Sequence, residues 1–104
     1  MTLKPITDRA EVAIDFPDKA YMGGFGRASS FEATADEAGV TIRLARGGED
    51  KRRAEIHLHH YLFAGVLADI AAAIAARPPL DEAHREALLA AARALVAALE
   101  RKAG

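Results

Sequence analysis

The sequence contains no cysteine. That removes disulfides, thiol catalysis and thiolate metal ligation together. A reducing, cytoplasmic setting is compatible with it and is the expected localisation. Aromatic residues make up only 6% of the chain, with no tryptophan, so no row of rings is available on which single-stranded bases would stack. Neither sign of charge dominates. Lys and Arg number 14 against 15 Asp and Glu, for a formal charge of −1. Such a chain has no basic field with which to follow a phosphate backbone, and nucleic acid is not an expected partner.

Long apolar runs are missing as well. The most apolar stretch, residues 61–76, is interrupted by Asp69 and falls short of the roughly 20 residues that span a bilayer. The opening MTLKPITDRAEVAIDF lacks the basic start and apolar centre of a secretion signal. No membrane association is expected. Serine occurs only at Ser29 and Ser30, neither of them in a G-x-S-x-G elbow, so nucleophilic hydrolase chemistry has no obvious centre. The glycine-rich GGFGRASS does not end in the Lys-Ser/Thr of a phosphate loop. As a dinucleotide fingerprint, Gly24, Gly26 and Ser29 put serine where the last glycine belongs.

What is present is a chain of one-domain length, 104 residues, of which 51% are apolar. It reads as a single α+β domain over 1–104, with residues 1–8 expected to be a flexible lead-in. The heavy use of alanine and the excess of Arg over Lys fit a bacterial, GC-rich coding sequence.

Apolar residues alternate before about residue 60 and recur at helical spacing after it. Strands are expected near 9–16, 24–36, 39–46 and 53–60. The best-defined pair is SFEATADEAGVTIRLAR. Asp36 and Gly39 are first and fourth in a four-residue turn. That turn sets Ala35 opposite Val40, Ala33 opposite Ile42 and Phe31 opposite Leu44. All six fall on one face, and Glu32, Thr34, Thr41 and Arg43 fall on the other. A one-residue slip would invert every side chain, so the register is well specified. Residues 20–30 fit either a loop or a bent strand.

Helices are expected at 61–76 and 81–102. Arg77-Pro78-Pro79 ends the first, and Asp81 caps the second, with Glu82 beside the positive end of its dipole. The predicted architecture is an antiparallel meander of three to four strands followed by a C-terminal αα-hairpin packed on one sheet face. Ile42, Ile56 and Leu58 are expected in the core.

Two sets of residues are functional candidates. His57 and His59 share a strand face about 6.5–7 Å apart, beside Arg43. Arg27, next to the glycines, could meet an anion. Arg43, His57, His59 and Arg27 are therefore the candidate ligand-binding residues. His57 and His59 are the only hint of a metal site, and two imidazoles without a third ligand do not make one. No metal and no cofactor is expected. The second set lies on the second helix. Leu89 and Val96, beside the Leu88/Leu95/Leu99 stripe, widen its apolar arc beyond what one sheet and one neighbouring helix would use, and Leu89, Val96 and Leu99 are the candidate interface residues. The expected function is that of a small, non-enzymatic domain acting through protein–protein contacts, as a homodimer or with a partner protein. The alternative is small-ligand or metal binding on the polar sheet face around Arg43, His57 and His59.

Overall fold

A computed structural model describes residues 3–49 and 51–102. The fold is α+β: antiparallel sheets come first and helices follow. Among the described residues there are six strands rather than three to four: β1 (Lys4–Pro5), β2 (Ala10–Phe16), β3 (Lys19–Phe25), β4 (Ser29–Ala35), β5 (Gly39–Arg46) and β6 (Arg52–His59). Helices follow among the described residues, α1 (His60–Ala75) and α2 (Glu82–Glu100). Backbone contacts divide the chain into two units, Met1–Leu67 and Ala68–Gly104.

In the first unit, four strands form one sheet in the order β1-β4-β5-β6, and β2 and β3 form a separate hairpin. The β4–β5 register matches the sequence expectation at all three pairs: Ala35 with Val40, Ala33 with Ile42 and Phe31 with Leu44. The pattern continues into β6, where Ile42 faces Ile56 and Val40 faces Leu58.

The turn is closed by the Asp36 carboxylate. Its Oδ1 accepts the backbone N–H of Ala38 at 2.8 Å and of Gly39 at 2.9 Å. The Asp36 N–H donates to the Gly39 carbonyl at 2.9 Å. Gly39 is also required by space. A Cβ there would lie 2.8 Å from the His59 Cα and nearer still to the Leu58 carbonyl oxygen.

The strand expected at 24–36 is in fact two. Gly26 accepts the Ser29 N–H at 2.9 Å, and the chain turns there. Gly23 and Gly24 are not loop residues but lie within β3, opposite Val12 and Glu11. Glycine is useful at Gly23 because the Arg52 side chain passes over it, 3.4 Å from where a Cβ would sit. Arg52 then donates from Nη1 to the Gly24 carbonyl at 3.1 Å. Pro17-Asp18 forms the two-residue link between β2 and β3.

At the start of the chain, β1 pairs with β4, and the Ile6 N–H donates to the Ser29 carbonyl at 3.0 Å. Ile6 and Phe25 are the buried apolar residues of the described chain. The sheet face expected to be core is not buried: Ile42 is 38% and Ile56 51% exposed, and Leu58 is half-buried.

Both helices form where expected. α1 stops before Arg77-Pro78-Pro79. Asp81 caps α2, its Oδ1 accepting the His84 N–H at 3.0 Å and its Oδ2 lying 2.6 Å from His84 Nδ1. Arg101 is the C-cap rather than part of the helix. Neither helix has a fully buried residue.

These carboxylates give the fold an acid sensitivity. Hydrogen bonds from Ala38 and then Gly39 hold Asp36 below its ordinary 3.8. The bond from His84 does the same for Asp81. A depressed folded-state pKa stabilises the fold above 3.8, and the contribution disappears as pH falls below it. Melting temperature is therefore expected to drop as the pH is lowered below about 4. Asp36→Asn and Asp81→Asn, which keep an acceptor oxygen, should each make that drop shallower. An acid limb as steep in both variants as in the parent chain would contradict this assignment.

Candidate functional site

Pairing across β4, β5 and β6 arranges the polar sheet face in rows. Glu32, Arg43 and Glu55 form one row, and Thr34, Thr41 and His57 the next. Each lands there through the same alternation that places the apolar residues behind them.

The first row is an ion-pair clamp. Arg43 Nη1 donates to Glu32 Oε1 at 2.6 Å, and Arg43 Nε donates to Glu55 Oε1 at 2.7 Å. The bond to Glu55, then its charge and that of Glu32, push the Arg43 pKa above the usual guanidinium range. Glu32 is only 8% exposed. A carboxylate so covered needs a charged partner, and Arg43 supplies it. The guanidinium is thus engaged on two sides by carboxylates, which leaves it a poor receptor for an anion.

The histidines come together as expected. The His57 and His59 rings meet edge to face with centroids 5.0 Å apart. His57 Nε2 lies 3.8 Å from Asp36 Oδ2, too long for a charge-assisted hydrogen bond. His60 is not part of this pair. It opens α1, and its Nε2 lies 3.1 Å from the Glu37 carbonyl. Among the described residues, no group of three or more His, Asp or Glu could hold a metal ion.

Arg27 lies elsewhere, in the turn between β3 and β4, and lines a recess with Thr7, Asp8, Arg9 and Gly26. The structure therefore joins Arg43, His57 and His59 on one face and leaves Arg27 out. On α2, Leu89 is half-buried, while Val96 is 55% and Leu99 73% exposed.

One further feature was not foreseen. A cleft of about 380 Å³ lies between the β2–β3 hairpin and the start of β6, lined by Ile14, Tyr21, Met22, Phe25 and Arg52 among others. The sequence signal for it was the Gly23-Gly24 pair, which admits Arg52 to the hairpin's surface.

Compared with known proteins, the chain matches no family model, no curated protein sequence and no solved structure.

Proposed function

We propose that this chain is a non-enzymatic assembly module that acts as a homodimer, with α2 as a main contact element. The observation that carries the reading is the exposure of large apolar side chains at helical spacing. Leu88, Val96 and Leu99 stand open on α2, next to half-buried Leu89 and Leu95. An apolar stripe of this kind on a folded chain marks a surface that another protein covers. A second copy is the occupant that needs nothing beyond the chain itself, and a net charge of −1 offers little long-range repulsion against it.

The polar face supports this reading by its own chemistry. Arg43 is held by Glu32 and Glu55, and among the described residues the two histidines have no third metal ligand beside them. The clamp is better suited to fixing the sheet's register than to capturing a substrate.

If folding and association are coupled, the melting temperature depends on protein concentration. It is expected to rise by several degrees when the concentration goes from 1 to 100 µM. A midpoint unchanged over that range counts against the dimer.

A further inference from the structure

We infer that β6 joins two copies edge to edge, antiparallel about a two-fold axis at Ile56, fusing two four-stranded sheets into one of eight strands. This rests on the homodimer reading and adds the strand and register of one contact.

β6 ends the sheet order β1-β4-β5-β6, and among the described residues it pairs with β5 alone. Which backbone groups face outward follows from the turn. Gly39 directs both its backbone groups toward β4: its carbonyl accepts the Asp36 N–H and its N–H reaches the Asp36 carboxylate, each at 2.9 Å. In an antiparallel ladder the direction alternates. Val40, Ile42 and Leu44 therefore bond toward β6, to their partners Leu58, Ile56 and Ala54. Arg53, Glu55 and His57 consequently point their N–H and C=O groups away from the sheet.

An unpaired edge of this kind is a template for another strand unless the sequence blocks it. The opposite edge is blocked: β1 has two residues, one of them Pro5. β6 has eight residues, no proline, and an unbroken register with β5.

The sequence of β6 is complementary to itself in one register. With Ile56 on the axis, Glu55 of one copy faces His57 of the other, and Ala54 faces Leu58, each twice. At the two pairs flanking the axis acid meets base, with Glu55 also holding Arg43 of its own chain, and apolar meets apolar; beyond them Arg53 of one copy faces His59 of the other. Moving each strand one residue toward Arg52 sets Glu55 against Glu55. Moving one residue the other way sets His57 against His57. The chosen register also brings together two Ile56 side chains, each half-exposed in the single chain.

Because Ile56 bonds inward to β5, the axial pair is a non-hydrogen-bonded one, with Cα atoms about 4.5 Å apart. That lies inside the disulfide window. The chain has no cysteine, so Ile56→Cys carries a single thiol. Mild oxidation of this variant should convert most of it to a disulfide-linked dimer on a non-reducing gel. Ala54→Cys is the control, displaced from its own copy by about 13 Å along the strand, and it should stay unlinked. His57→Pro removes an outward N–H that β5 does not use, and so leaves the chain's own ladder whole. Two hydrogen bonds are lost per dimer, so the dissociation constant should rise about tenfold.

A wild-type dimer in which Ile56→Cys fails to link and His57→Pro associates normally overturns the β6 contact and leaves the homodimer standing. Linking of Ala54→Cys as fast as Ile56→Cys overturns the register. A wild-type chain that stays monomeric overturns both.

Discussion

Gly39→Ala is expected to destabilise the fold by about 3 kcal/mol, the upper end of what overpacking usually costs. The added methyl would sit 2.8 Å from the His59 Cα and closer to the Leu58 carbonyl oxygen. Both obstacles are backbone, so no rotamer change relieves the contact. Either β5 must move away from β6, breaking the pair at Gly39 and His59, or the Asp36 turn must open. That turn holds three hydrogen bonds and the register of the whole β4–β5 hairpin. In a domain of this size the cost corresponds to a fall in melting temperature on the order of 12–24 °C. Gly47→Ala is the control, since nothing lies within 4 Å of the added atom. Thermal melts of the three proteins at one concentration decide the matter. Equal losses in both variants would show that close approach at Gly39 is not the cause.

The second large effect is expected from Leu99→Asp. If this side chain, 73% exposed in the single chain, is covered in the dimer, the substitution removes roughly 1.5–3 kcal/mol of burial. A two-fold axis applies the change twice. The dissociation constant should then rise by about a hundred- to ten-thousandfold. Val96→Asp should act in the same direction. Leu89 is a poorer probe, because it is half-buried in its own chain and a charge there would disturb folding as well. Ala90→Asp is the control, at about 180° from Leu99 around the helix at 100° per residue. Sedimentation velocity reads all three substitutions. Dissociation of Ala90→Asp to the same extent as Leu99→Asp would mean that charge, not position, breaks the assembly.

How much was readable in the sequence depended on the kind of signal. The β4–β5 register was readable because alternation and turn chemistry agree, leaving one solution that sorts polar from apolar. The Asp81 cap was readable from local chemistry alone. β3 was not, because Gly23 and Gly24 give no side-chain period and suit a loop as well as a strand crossed by Arg52. β1 was hidden by brevity: two residues, one a proline, have no pattern.

At the candidate site, the sequence placed Arg43, His57 and His59 on one face but not the clamp. Glu32 and Arg43 share the polar side of the ladder, and only side-chain packing shows that the carboxylate is covered and the guanidinium committed to it. The apolar face taught a related lesson. Alternation tells which side of a strand is apolar, and Ile42 and Ile56 are on that side. It does not tell what covers them, and within one chain they remain exposed.

The central claim is that a second copy covers the apolar surface this chain leaves open. Sedimentation equilibrium of the untagged wild-type protein at tens of micromolar tests it most directly. The predicted result is a single species at twice the chain mass of 11.1 kDa, dissociating only on dilution. A folded species at the mass of one chain across the whole concentration range would contradict it.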